Sequence, residues 1–125
     1  MIKISRATDA YRVYFCIGEK RGYDGRAYGE DELRDAVKDF LWANGGSVTI
    51  SRVHFIAKDY EESGWEIATI KYPPFPEKDE DIYQRMGDLA IFLMHRFSQR
   101  RITVVTPDLA CMLENDEIEG RDHVE

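Results

Sequence analysis

Four residues in strand-like stretches of this sequence carry side chains suited to holding a small anion. Tyr11–Ile17 alternates apolar and polar residues, so Arg12 and Tyr14 project from the side opposite its apolar positions. Arg52 and His54 lie in a second stretch of strand-like composition. We expect one strand to lie between these two stretches, so that a small anionic ligand can bridge them. The predicted ligand-binding residues are Arg12, Tyr14, Arg52 and His54.

His54 is also the best acid–base candidate in the chain, because histidine side chains titrate near neutral pH. The sequence offers no serine or cysteine nucleophile at a motif spacing beside it, and no second histidine to pair with it. We therefore predict a binding site and no catalytic residue.

A glycine-rich stretch, Gly18–Gly29, joins the first predicted strand to the first helix and contains the bases Lys20, Arg21 and Arg26. Phosphate groups are often bound at such a position. The glycine spacing matches neither the P-loop nor the dinucleotide-binding pattern, and the acidic run Glu30–Glu32 at the start of the helix would repel an anion. We interpret this stretch as a surface loop.

The remaining candidates indicate neither a metal site nor a cofactor. The acidic run Glu77–Asp81 lacks the glycine and the closing glutamate of a calcium-binding loop, and it is typical of a helix N-terminus. Cys16 and Cys111 have no metal-ligand spacing, and we interpret them as buried thiols. We predict no metal and no cofactor.

Length and composition are typical of one domain. With 125 residues, of which 43% are hydrophobic, the chain can bury a core without disulfides or metals. We assign residues 1–113 to a single α+β domain and residues 114–125, with six acids against one arginine, to an acidic disordered tail. A net charge of −7 argues against general nucleic-acid binding. The longest apolar run, Leu89–Met94, is too short to span a membrane, so we predict a cytoplasmic protein.

Hydrophobic periodicity predicts the order strand, helix, strand, strand, helix, strand. The first helix is expected over Glu30–Asn44 and the second over Asp81–Gln99. The second helix has one apolar face, formed by Ile82, Met86, Leu89, Ala90, Leu93 and Phe97. In the second strand, Val48–Tyr60, the apolar positions change parity midway, which predicts a β-bulge near residues 51–52.

Two helices on one face of a four-stranded antiparallel sheet, the ferredoxin-like βαββαβ sandwich, is the simplest arrangement for this order. Short additional edge strands are expected at Ile2–Ile4 and at Leu109–Leu113. This fold hosts many unrelated functions, so it assigns none by itself.

Some large apolar residues are left over once the core positions are filled. Trp42 lies opposite the apolar face of the first helix, and Ile91 and Phe92 lie off the apolar face of the second. We predict that these three residues form an interface and that the chain is a homo-oligomer. The leading hypothesis is therefore a non-catalytic binding module. It would be a small self-associating accessory or regulatory protein that binds a partner protein or a small anionic ligand.

Two alternatives remain open. One is a small enzyme with a cavity on the open sheet face, where His54 would act as acid–base and Arg12 would orient an anionic substrate. The other is an acidic inhibitor that imitates nucleic acid. An enclosed pocket would favour the enzyme, and one continuous carboxylate surface would favour the inhibitor.

Overall fold

The computed structural model describes residues 1–22 and 25–117. The chain forms an α+β structure in which a five-stranded antiparallel sheet carries two helices. The helices are α1 (Glu30–Asn44) and α2 (Asp79–Arg96). The strands are β1 (Arg12–Gly18), β2 (Thr49–Ala57), β3 (Tyr60–Ile70), β4 (Arg101–Val105) and β5 (Ala110–Glu114), and their order in the sheet is β2-β3-β1-β4-β5.

The apolar face predicted for α2 is confirmed. All six of its residues are buried, namely Ile82, Met86, Leu89, Ala90, Leu93 and Phe97. They pack with Leu33 and Val37 of α1 and with the inward side chains Val13 and Phe15 of β1. The helices therefore cover one face of the sheet and leave the other face open.

The central pair of the sheet, β1 and β3, runs in continuous antiparallel register from Arg12–Ile70 to Gly18–Gly64. Directly paired residues share a face, so the buried pair Phe15–Ile67 marks the helix side. Gly64 must be a glycine, because a Cβ there would come within 2.2 Å of the Ile17 carbonyl oxygen.

The predicted β-bulge near residues 51–52 is wrong. β2 pairs with β3 in an unbroken register from Thr49–Ala68 to Ala57–Tyr60. The change of apolar parity has another cause. Ile50 packs against the core on the helix side, whereas the half-buried Val53 and Phe55 lie on the open face.

The sheet has one strand more than the predicted main sheet of four, because the short strand expected near Leu109–Leu113 is present as β5. The edge strand expected at Ile2–Ile4 is absent, since residues 1–11, all of which the structure describes, contain no strand. Glu114, the first residue assigned to the acidic tail, is the last residue of β5 and its carboxylate pairs with Arg101 at 2.9 Å. The rest of the predicted tail from residue 118 lies outside the described residues.

None of the helices in the described ranges is long and apolar enough to cross a membrane.

Leu93 tests the packing of α2, because its side chain is 0% exposed in the core. Leu93→Ala should lower the free energy of unfolding by about 2–5 kcal/mol, measured by urea denaturation, because it removes buried apolar contacts and leaves a cavity. Ile91→Ala, at a position on the same helix that is 45% exposed, is the matched control and should cost much less. Equal losses at the two positions would contradict the packing described here.

Candidate active site

The four residues predicted to bind an anion lie on opposite faces of the sheet. Arg12 and Tyr14 are on the open face, where the Arg12 guanidinium lies 4.4 Å from the centre of the Tyr14 ring and 3.1 Å from the Glu66 carboxylate. Arg52 is paired with Trp65 and His54 with Ser63, and both pairs lie on the helix side. The prediction that these side chains meet on one face is therefore wrong.

The physical reason is the register of β2. Without a bulge, alternation along β2 keeps Arg52 and His54 on the helix side of the sheet. There the Arg52 guanidinium stacks 4.8 Å from the Trp65 ring and contacts Glu19 at 3.1 Å. His54 shares a hydrogen bond of 2.9 Å between its Nδ1 and the Ser63 hydroxyl. Both side chains thus hold structural contacts away from Arg12.

The three predicted interface residues differ in exposure. Trp42 is 93% exposed and Ile91 is 45% exposed, so both are accessible to a partner. Phe92 is half-buried and packs against Phe40 with 5.7 Å between ring centres, so it belongs mainly to the rim of the core. Whether these residues form an interface remains a prediction.

A buried carboxylate that the sequence did not single out lies at the end of the open face. Glu62 lies on the open face of β3, on the same side as Gly64, yet it is only 7% exposed. One of its oxygens accepts a hydrogen bond of 3.0 Å from the Lys20 backbone N–H, and the other accepts one from the Tyr60 hydroxyl. A buried carboxylate is costly unless it is hydrogen-bonded, and here both oxygens are.

The position of Glu62 depends on a glycine in the neighbouring strand. A Cβ at Gly18 would come within 2.5 Å of the Glu62 carboxylate, so a larger residue there would push that group away from its place against β1. The glycine-rich stretch that was interpreted as a surface loop thus begins at the wall of the buried site.

Hydrogen bonds with the residues between α2 and β4 hold the segment after β1 in place. The Gln99 side-chain amide donates to the Lys20 carbonyl at 2.9 Å and to the Phe97 carbonyl at 3.1 Å. The Gly22 N–H donates to the Ser98 carbonyl at 2.7 Å. These bonds fix the backbone of Lys20, whose N–H points at Glu62.

Tyr28 also holds the end of β1 in place. Its hydroxyl donates to the Gly18 carbonyl at 2.6 Å, and its ring stacks on Phe97 with 4.0 Å between centres. Burial raises the pKa of the Tyr28 hydroxyl well above its ordinary value of 10.0, and the negative charge of Glu62 raises it further. Tyr28 is therefore neutral across the physiological range.

A cavity of about 400 Å³ opens in front of Glu62. It is bordered by Lys20, Gly22, Tyr60, Gln99, Arg100 and Arg101. The site thus combines one buried negative charge with three basic side chains, and such a pocket can hold a ligand that carries both signs of charge. Within the described residues, no group of three or more His, Cys, Asp or Glu side chains could hold a metal ion.

Sequence reasoning missed Glu62 because the segment Glu61–Gly64 lies beyond the predicted end of the second strand at Tyr60. In the structure this segment is paired throughout with β2, so its two glutamates point to opposite faces. The available signal was the pair Gly18 and Gly64, since glycines within strands often mark a close approach.

Comparison with solved structures identifies the fold. One match is described as a phage SAM lyase in complex with S-methyl-5'-thioadenosine. It has a TM-score of 0.76 and 12% sequence identity, with 93% of this chain and 98% of that chain covered. The other is a phage SAM lyase in the apo state, with a TM-score of 0.68, 16% identity, and 92% and 98% of the two chains covered. The chain has the fold of a phage SAM lyase. No protein-family model matches it, and no curated protein matches its sequence.

These enzyme neighbours contradict the leading hypothesis of a non-catalytic binding module or accessory protein. That hypothesis depended on the lack of a catalytic motif in the sequence, and such motifs are short local patterns. Glu62, Lys20 and Gln99 come together only through tertiary contacts, so no local pattern could reveal them.

The raised pKa of Tyr28 generates a prediction about alkaline stability. Above about pH 10, unfolded chains lose the tyrosine proton while folded protein keeps it, so the folded state binds more protons and becomes less stable as pH rises. Tyr28→Phe should therefore make the fall in unfolding free energy between about pH 10 and 12 shallower. The measurement is urea denaturation at a series of pH values. Tyr72→Phe, at an exposed position, controls for the loss of a tyrosine hydroxyl and should change the slope less than Tyr28→Phe does. Equal slopes for Tyr28→Phe and the unaltered protein would contradict this assignment.

Proposed function

We propose that this protein is a lyase that cleaves S-adenosylmethionine (SAM) and releases S-methyl-5'-thioadenosine. The observation that carries the proposal is the likeness to a SAM lyase with that molecule bound, over 93% of this chain. The pocket at Glu62 supports it independently, because a buried carboxylate suits a cationic substrate. We also propose that the first four strands adopt the ferredoxin-like arrangement, which the order β2-β3-β1-β4 supports, with β5 added at the edge.

The chemistry follows from the bonds of the substrate. The sulfur of SAM is a sulfonium bonded to a methyl group, to the 5' carbon of the ribose and to the γ carbon of the amino-acid chain. Release of S-methyl-5'-thioadenosine breaks the bond to the γ carbon, and the bonding electrons return to sulfur, which becomes a neutral thioether. If the substrate's own carboxylate oxygen attacks the γ carbon, a five-membered lactone forms, and the step needs neither water nor a base.

This ring closure fits the site better than proton abstraction. Both oxygens of Glu62 already accept hydrogen bonds, from Lys20 and Tyr60, so we assign Glu62 to binding and orienting the cationic substrate. Holding the amino-acid chain in a folded conformation brings carboxylate and γ carbon together, and such positioning can lower a barrier by several kcal/mol, up to about 7–11. The loss of positive charge at sulfur also weakens the attraction of the product to Glu62, which favours release.

Glu62→Gln tests the proposal with little change in shape. The variant removes the charge and keeps the volume, so SAM cleavage should fall by about a hundredfold or more, measured by chromatography of S-methyl-5'-thioadenosine. Glu61→Gln is the matched control, since Glu61 is the adjacent residue of β3, is exposed and points away from the pocket.

The control variant should keep its activity, and both variants should keep melting temperatures close to that of the unaltered protein. Formation of S-methyl-5'-thioadenosine by Glu62→Gln at the unaltered rate would show that Glu62 takes no part in the reaction. Absence of any cleavage by the unaltered protein would refute the proposed function.

We further propose that the chain forms a homo-oligomer. Support comes from exposed large apolar side chains, with Trp42 on α1 and Met112 on the open face of β5. Sedimentation equilibrium at about 100 μM should give a multiple of the 14.6 kDa chain mass. A mass equal to that of one chain would refute the proposal.

A further inference from the structure

We infer that the Glu62 pocket binds the amino-acid end of its ligand and not the adenosine end. It therefore accepts sulfonium amino acids as a class. The sulfonium lies beside Glu62, and the carboxylate lies beside the basic border formed by Lys20, Arg100 and Arg101. The inference rests on the proposed function for the presence of a sulfonium, but its test needs no cleavage of SAM.

The hydrogen bonds of Glu62 favour a sulfonium over an ammonium group. Its oxygens accept from the Lys20 N–H and the Tyr60 hydroxyl, which reduces its capacity to accept further bonds but leaves its negative charge in place. A sulfonium carries charge without an N–H or O–H group, so it needs no acceptor. An ammonium buried there would need acceptors for its protons. The arrangement thus matches a cation that interacts through charge alone.

The basic side chains of the pocket supply the complementary charge. Lys20, Arg100 and Arg101 border the same cavity, although the protein as a whole has a net charge of −7. We assign the substrate carboxylate to this basic border, because guanidinium and ammonium groups bind carboxylates through charge-assisted hydrogen bonds. A ligand with a positive sulfur a few bonds from a carboxylate can contact both Glu62 and these basic residues.

The adenosine end of the substrate fits this cavity less well. Among the described residues that border it, Tyr60 is the one aromatic, and its hydroxyl is bound to Glu62. An adenine ring prefers an apolar surface on which it can stack. The more apolar opening near Tyr72 and Phe75 lies at the opposite end of β3, roughly 30 Å away at 3.3 Å per residue, which is too far for the same ligand.

Binding of small analogues tests the inference directly. The probe is S-methylmethionine, which has the sulfonium, the ammonium and the carboxylate but no adenosine, and its affinity is measured by isothermal titration calorimetry. Methionine, with an uncharged sulfur, should bind at least about tenfold more weakly. 4-(Dimethylsulfonio)butanoate, which keeps the chain length of S-methylmethionine and lacks only its ammonium, should bind within about threefold of S-methylmethionine.

Variants test which residues bind the sulfonium of the ligand and which bind its carboxylate. Glu62→Gln should weaken S-methylmethionine binding by about tenfold or more and should abolish the preference over methionine, whereas Glu61→Gln should change neither. Lys20→Met should weaken S-methylmethionine and methionine by the same factor, because both carry the carboxylate. Unchanged melting temperatures exclude unfolding as the cause.

The outcomes separate this inference from the proposed function. Cleavage of SAM without binding of S-methylmethionine, or binding that Glu62→Gln leaves unaltered, would overturn the inference and keep the lyase. Binding of S-methylmethionine that depends on Glu62, without cleavage of SAM, would support the inference and refute the lyase.

Discussion

The antiparallel pairing of β1 with β3 is the constraint on which the rest of the structure depends. It brings Gly18 opposite Gly64, and the second glycine lets the backbones approach so closely that no side chain fits above the Ile17 carbonyl. The same register turns Phe15 and Ile67 toward the helices. A slip of this register by one residue would exchange the two faces of β3. It would move Ile67 out of the core and Glu62 out of the pocket at the same time.

Burial of Glu62 is a local cost that the surrounding fold offsets. An unpaired buried carboxylate would destabilise the folded state, but here the Lys20 N–H and the Tyr60 hydroxyl satisfy its oxygens. The segment that carries Lys20 is in turn held by Gln99. Because one oxygen is held by a backbone N–H, the fold itself sets the position of the carboxylate, as a preorganised binding site requires.

The charge distribution of this acidic protein suits the proposed substrate, which carries charges of both signs. Excess negative charge attracts a cation over a distance of about a Debye length, near 8 Å at physiological ionic strength, and the basic border of the pocket supplies the opposite charge for a carboxylate. The contacts of Arg12 and Arg52 are of a different kind, since they pair with Glu66 and Glu19 and stack on aromatic rings of the sheet. Basic residue type alone therefore does not distinguish a structural arginine from one that borders a pocket.

The sequence by itself determined the two helices, the order of the main strands and the buried faces of α2 and β1. The three-and-four spacing in α2 and the alternation in β1 identified the buried face of each element, because periodicity reports which side of an element avoids water. It could not determine which faces of different strands meet, since that depends on pairing register. Arg52 and His54 were placed on the open face for this reason, and the continuous register with β3 puts them on the helix side. Glu62 became recognisable only in the tertiary structure, because Gly18, Lys20 and Gln99, the residues that make room for it and support it, are 44, 42 and 37 positions away in the chain.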